Sequence, residues 1–296
     1  MFDTVRKIFR IWSVPLALAI GLSAQAASAQ QAGTLVSADP VVDTPPGQQA
    51  WRVRYATTDA NGASRVVTGM VVAPREQIPV EGRKVIAWTH GTWGVAERCA
   101  PSLSANFFAA TPALADMVAR GYVVVAPDYP GLGSAMPHPY LVIEDTGRSV
   151  LDAVRAARAI PGAASGTRFA VWGESQGGHA ALATGALARR YAPELSLVGT
   201  AAAAPPTDLR ANFSQGSDAN VRAMLTAFTT YSWSQHFGAP LSTVFKPAQR
   251  GIVTRLAQNN CIELGATWRR DFIDAGDARR GNTFQLFFAL RNLGFR

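Results

Sequence analysis

The strongest chemical signal in the sequence is the run Gly173-Glu174-Ser175-Gln176-Gly177-Gly178. It directly follows the apolar run Phe169 to Trp172 and directly precedes a helical stretch from Gly177 to Tyr191, so it reads as strand, G-x-S-x-G, helix. That order sets a serine on a sharp, strained turn with its hydroxyl exposed above a sheet, the posture of a nucleophile. Glycines on both sides leave room for strand and helix to cross closely. The backbone N–H of Gln176, at the helix start, can then donate to the oxyanion of a tetrahedral intermediate. Glu174 reads as a solvated side chain, because lone acids are rarely buried.

A second donor is expected upstream. The apolar run Val85 to Trp88 ends in Thr89-His90-Gly91-Thr92, and the backbone N–H near Thr92 is the candidate. His90 reads as an orienting loop residue. Asp128-Tyr129-Pro130-Gly131-Leu132-Gly133 has the chemistry of a loop, with Asp128 hydrogen-bonding it, and His138 is a loop histidine of the same kind. After Ser175 only His179 and His236 remain as imidazoles. His179 falls one helical turn past the serine and packs behind it. Asp208, just beyond the strand-like run Leu197 to Ala203, is a candidate acid and His236 a candidate base. The plainer readings are a helix N-cap for Asp208 and a surface side chain for His236.

The elements that must hold these residues follow from hydrophobic periodicity. Trp51 to Thr57 and Arg65 to Val72 flank Asp59-Ala60-Asn61-Gly62, which predicts an antiparallel hairpin. Val85 to Trp88, Tyr122 to Ala126 and Phe169 to Trp172 are short apolar runs of the kind buried on both faces of a sheet, and Leu197 to Ala203 adds another apolar strand. Amphipathic stretches lie between them: Ala113 to Arg120, Arg148 to Ile160 and Gly177 to Tyr191. Alternating strand and helix predicts an α/β fold with a mostly parallel, doubly wound sheet. Beyond Pro205-Pro206 the pattern turns helical, with Val221 to Trp233 and Leu241 to Leu256 as its clearest parts. The division expected is a leader at 30–50, a core at 51–204 with order beginning near Trp51, and a helical segment at 205–296.

Residues 1–29 read as a secretory signal, with Arg6, Lys7 and Arg10 before an apolar run and Ala27-Ser28-Ala29 as the cleavage site. Cleavage after Ala29 predicts a secreted or periplasmic protein. Of 296 residues 48% are apolar and 16% charged, enough apolar mass for a large core and too little charge for a disordered chain. The formal charge is +8, yet the basic residues are scattered, which argues against a nucleic-acid arm and leaves a general attraction to anionic surfaces. Two cysteines, Cys99 and Cys261, in an exported chain favour one disulfide, with a buried free pair as the alternative.

The blocks Ala87 to Ser102, Ala126 to Tyr140, Gly147 to Ala157, Gly173 to Ala183 and Ala202 to Ala211 together resemble the secretory lipase family of α/β-hydrolases. The resemblance implies a serine carboxylester hydrolase that acts on acyl glycerols or other lipophilic esters, at a lipid–water interface, without a cofactor. It implies Ser175 as nucleophile, Thr92 and Gln176 as oxyanion donors, and a helical cap over the core. It is also consistent with a disulfide from the oxyanion-side loop to that cap, onto which Cys99 and Cys261 map. In that family the triad acid and histidine follow the cap on the last two strands. This sequence ends at Arg296 within the expected cap, so a shortened product is the expectation. The alternative is a silent homologue that binds esters or lipids. The aromatic stretches Phe228 to Phe237 and Phe284 to Phe288 are candidates for an acyl pocket, with ordinary packing as the other reading.

Overall fold

The computed structural model describes residues 30–262 except 77 and 216–218, and leaves aside the side chain of Asn220. The predicted signal at 1–29 and the aromatic stretch Phe284 to Phe288 therefore lie outside the described residues.

Seven strands form one sheet: β1 (Leu35–Pro40), β2 (Gln48–Thr58), β3 (Ser64–Pro74), β4 (Arg83–Thr89), β5 (Val123–Pro127), β6 (Ser165–Glu174) and β7 (Ser196–Ala203). Their spatial order is β1-β2-β3-β5-β4-β6-β7. The pairs β1/β2, β2/β3 and β3/β5 are antiparallel, and β4 with β5, β4 with β6 and β6 with β7 are parallel. The predicted hairpin is present, and Asp59 closes its turn by accepting from the N–H groups of Asn61 (3.0 Å) and Ala63 (2.9 Å).

One expectation is corrected. Residues 30–50 are not merely a leader: β1 lies within them and pairs antiparallel with β2, which itself starts at Gln48. An edge strand that buries only one side carries little periodic apolar signal, and Leu35 and Ala38 supply that side by packing on the core. The helix expected from Leu241 to Leu256 is also interrupted, because Pro247 starts a fresh helix after a short 3₁₀ turn at Leu241–Thr243.

The period-two alternation of the strands sorts their side chains into two layers. Val67, Val71, Val85, Val123, Val125, Phe169 and Val171 face α3 (Ile143–Ala157) and α4 (Gln176–Tyr191) in one buried cluster. Met70, Val72, Trp88, Val124 and Ala126 face the opposite way, onto α1 (Phe107–Ala110) and α2 (Leu114–Ala119). Helices on both faces of a largely parallel sheet are the architecture the sequence predicts.

The remaining helices, α5 (Leu209–Gln215), α6 (Ala219–His236) and α7 (Pro247–Asn259), build their own cluster around Ala227, Phe228, Phe245 and Val253. This helical layer is joined to the core in two ways. Val95, Tyr140 and Leu141 from core loops enter its cluster, and Cys99 forms a disulfide with Cys261 just past α7. Ile262 adds a backbone hydrogen bond of 2.8 Å from its N–H to the carbonyl of Trp93. The free-thiol alternative is thus set aside.

Because this disulfide closes a loop of 162 residues, most of its effect falls on the unfolded chain. The double substitution Cys99→Ser with Cys261→Ser is expected to lower unfolding free energy by about 2–5 kcal/mol, read by urea denaturation beside the oxidised protein. No change in the midpoint would show that the helical layer holds without the bond.

Candidate active site

Ser175 sits between β6 and α4 at φ 56° and ψ −120°, a backbone conformation unfavourable for a residue with a Cβ. Its N–H donates to the carbonyl of Ala203 (2.9 Å) and its carbonyl accepts from the N–H of His179 (3.0 Å). The hydroxyl is half-buried and has no hydrogen-bond partner among the described residues. Glu174 is exposed, as its sequence context suggests.

The turn is this tight because the end of β4 presses into it. Thr89 Oγ1 lies 2.9 Å from the carbonyl oxygen of Trp172 and 2.8 Å from that of Gly177. A Cβ on either Gly173 or Gly177 would overlap the carbonyl oxygen of Thr89. Both glycines are therefore obligatory for this approach, and it brings the loop His90-Gly91-Thr92 beside the elbow. A Cβ on Gly91 would lie 3.5 Å from the carbonyl of Glu174.

Neither the N–H of Gln176 nor that of Thr92 donates to any atom of the described residues. One opens a helix, where backbone donors lack internal partners, and the other lies in the adjoining loop. Two such donors beside a serine hydroxyl are what an oxyanion hole requires.

Beneath these loops lies a buried polar layer. Asp128 is fully buried and accepts from the Ser102 N–H (2.9 Å), the Ser102 hydroxyl (2.6 Å) and the Thr68 hydroxyl (2.7 Å). Burial pushes its pKa up to about 6 against the pull of those donors. It ties strand β3 and the segment after Cys99 to the end of β5, whereas the sequence suggests hydrogen bonds within the 128–133 loop itself. His90 Nδ1 lies 2.6 Å from the Gly91 carbonyl and Nε2 lies 3.0 Å from the Asp128 carbonyl. Two carbonyls favour a protonated ring, but burial outweighs them and lowers its pKa to about 4. The ring is stacked on Tyr129 at 4.1 Å between centroids.

The other candidates make no hydrogen bond to the serine among the described residues. Asp208 Oδ1 accepts from the Ala211 N–H (2.9 Å), so it caps the start of α5. His236 ends α6, half-buried, with its ring edge-to-face on Phe237 at 4.5 Å. No hydrogen bond among the described residues joins either of them to Ser175 or to each other. His179 is largely buried on α4, and burial lowers its pKa. Phe228 is fully buried in the helical cluster, whereas Phe237 is exposed, so that stretch divides between packing and surface.

A cavity of about 270 Å³ opens between the loop Val95–Glu97, the loop Met136–His138, and α6 with Gln258 of α7. His138, on its wall, contacts the Gln176 side chain. The position of His138 was not legible beyond its loop character. The only hint lay in the prolines on either side of it, which fix its backbone.

Comparison with known proteins agrees with this fold. Residues 104–232 match the family described as "Secretory lipase". "Lipase 9" of Candida albicans is 29% identical over 229 residues, covering 73% of this chain and 49% of that protein. "Probable inactive lipase MT1628" of Mycobacterium tuberculosis is 29% identical over 175 residues, covering 55% of this chain and 38% of that protein. Among solved structures, Candida antarctica lipase A in its closed state superposes with a TM-score of 0.66 at 20% identity, over 78% of this chain and 56% of that one. The fold is therefore that of the α/β-hydrolases. The chain spans about half or less of the length of these curated relatives.

Two outcomes follow from the site. Gly177→Ala forces a methyl group into the Thr89 carbonyl, and a loss of about 3 kcal/mol or more is expected in chemical denaturation, beyond the range of an ordinary helix substitution. His90, neutral when folded, takes up a proton on unfolding between pH 6.5 and about 4, so its contribution to stability is present above pH 6.5 and declines as pH falls through that window. The stability advantage of the wild type over His90→Gln should therefore shrink by about 1 kcal/mol per pH unit on acidification, and an advantage independent of pH would refute a neutral His90.

Proposed function

We propose that this chain, a member of the secretory lipase family, is an exported carboxylester hydrolase working through an acyl-serine intermediate on Ser175. The observation that carries the reading is the serine itself: a strained residue between a strand and a helix whose hydroxyl, like the backbone N–H groups of Gln176 and Thr92, has no hydrogen-bond partner among the described residues.

In this reading the Ser175 Oγ attacks the ester carbonyl carbon, and the carbonyl oxygen, now carrying the negative charge, takes hydrogen bonds from Gln176 and Thr92. Collapse expels the alcohol and leaves an acyl ester on Ser175, which water hydrolyses. The proton taken from Ser175 passes to the departing alkoxide through a general base. His236, at the end of α6, is the candidate base and Asp208, at the start of α5, its candidate acid, and both would have to form hydrogen bonds that they do not make in this structure. No cofactor enters the scheme.

The acyl group has a plausible berth in the cavity beside His138, where Val95, Met136, Pro137 and Tyr231 supply apolar wall and Ser232, Gln235 and Gln258 supply polar edges. The helical segment 205–296 would then control access to it, as a lid facing a lipid–water interface. Relatives named lipases support lipophilic esters as the substrate class.

A second reading is a silent homologue that keeps the ester pocket. It is favoured by the relative named a probable inactive lipase and by the absence of any base within hydrogen-bond reach of Ser175 among the described residues.

Hydrolysis of p-nitrophenyl butyrate and octanoate by the purified chain separates the two. Activity is expected to fall by about 10³-fold or more in Ser175→Ala, and His236→Ala should follow if His236 is the base. A folded chain that neither hydrolyses these esters nor reacts with a fluorophosphonate is a silent homologue.

A further inference from the structure

His138 is fully buried, and its ring nitrogens have different partners. Nδ1 lies 2.7 Å from the Pro130 carbonyl oxygen, and Nε2 lies 3.0 Å from Nε2 of Gln176. A carbonyl only accepts, so Nδ1 carries the proton and donates to Pro130. Nε2 is then a bare lone pair, and the Gln176 amide donates to it. Burial lowers the pKa of His138 to about 3, which keeps this tautomer neutral at ordinary pH.

The same ring touches the other half of the site. Its edge meets the Tyr140 ring at 5.8 Å between centroids, and the Tyr140 hydroxyl lies 2.6 Å from the Thr92 hydroxyl. On its other side it is parallel to Tyr129, which stacks on His90 of the Thr92 loop. One imidazole is thus joined to Gln176 directly and to Thr92 through Tyr140. These are the two residues whose N–H groups have no acceptor among the described residues.

The loop carrying His138 is built to hold it there. Gly131 has φ +82°, and a Cβ on it would overlap the backbone of His138. On α6, Ser232 donates its hydroxyl to the His138 carbonyl and accepts from the Tyr140 N–H (2.9 Å), and Trp233 Nε1 donates to the Tyr140 carbonyl (2.9 Å).

We propose that His138 is the positioning residue of the oxyanion hole, holding the Gln176 and Thr92 segments at fixed separation from a single buried, Nδ1-protonated imidazole. The inference rests on the hydrolase reading of Ser175. It adds a residue that acts on the oxyanion donors through Gln176 and Tyr140 and makes no hydrogen bond to the nucleophile. A buried amide that could be replaced by an apolar side chain gains a purpose here: Gln176 follows the nucleophile, and tethering its side chain fixes the orientation of the residue whose N–H must meet the oxyanion.

Two substitutions separate the two ends of the ring. In His138→Asn the amide can still donate to Pro130 but cannot reach Gln176, whereas in His138→Gln the side-chain oxygen can accept from Gln176 while the Pro130 bond is lost. With p-nitrophenyl butyrate, kcat is expected to fall about 10- to 100-fold in His138→Asn with KM nearly unchanged, and to recover largely in His138→Gln. Gln176→Leu keeps the backbone N–H and should reproduce the kcat loss, which covers the case of a His138 variant that does not fold. An unchanged kcat in folded His138→Asn overturns the proposal. Nitrogen-15 NMR of the wild type should show His138 protonated at Nδ1 alone from pH 5 to 8, and protonation at Nε2 likewise overturns it. Should the wild type hydrolyse no ester, the hydrolase reading fails on its own terms. The positioning role is then read from the backbone amide resonances of Thr92 and Gln176, which must both move in His138→Asn and return in His138→Gln; unmoved resonances overturn it.

Discussion

The close approach of β4 to the turn between β6 and α4 is the constraint on which the rest of the site depends. Thr89 reaches both sides of the turn with one hydroxyl, and its carbonyl occupies the space that side chains at 173 and 177 would need. That contact forces Ser175 into its positive φ and at the same time delivers the His90-Gly91-Thr92 loop to the serine. The strained serine and the neighbouring Thr92 loop, the proposed nucleophile and second oxyanion donor, are therefore positioned together by one packing event in the sheet. The parallel pairing of β4 with β6, in register from Val85/Phe169 to Thr89/Gly173, puts both strand ends at the same level and makes the event possible.

A site held only by backbone packing would still be free to breathe, and the layer beneath it limits that freedom. His90, Tyr129 and His138 form a run of roughly parallel buried rings, each with hydrogen bonds to carbonyls of neighbouring loops. Asp128 adds a carboxylate satisfied by three donors from β3 and the segment after Cys99. Buried polar groups of this kind cost free energy unless every partner is in place, so they specify one arrangement of the loops more sharply than an apolar filling of equal volume. The disulfide at Cys99 and the contacts of α6 with Tyr140 extend the same layer outward to the helices. Displacement of α6 would accordingly be felt at His138 and Tyr140 before it reached the serine.

Much of this was legible in the sequence, and the reasons differ by element. Strands β4, β5 and β6 and the elbow announce themselves because strands buried on both faces, and a serine between glycines at a strand–helix junction, leave little choice of residue, while β2 and β3 are marked by the turn between them. Helix α6 was legible from its apolar content. Strand β1 was not, because it pairs by backbone bonds along an edge and needs only Leu35 and Ala38 to be apolar. The roles of His138 and Tyr140 were also hidden. Each acts through contacts with residues distant in sequence, Gln176 for one and Thr92 and Ser232 for the other, and no local pattern records such partners. Asp208 illustrates the reverse: its cap of α5 is a local bond, and the sequence supports that reading directly.

Binding and catalysis make different demands on this architecture. A protein that only holds an ester needs a cavity and a few polar groups on its wall, and the space beside His138 would meet that need with an unstrained residue at position 175. Holding a non-glycine residue at φ 56° costs about 1–3 kcal/mol, and leaving the N–H groups of Gln176 and Thr92 without acceptors among the described residues adds to the cost. Neither expense improves retention of a ligand in its ground state. Both become useful only when charge develops on an oxygen bonded to the carbon that Ser175 attacks, because the free donors then find their acceptor. On the proposed hydrolase reading, the strain and the two donors that lack acceptors among the described residues suit a site shaped for a tetrahedral intermediate, and the competence of the base is a separate question from the posture of the serine.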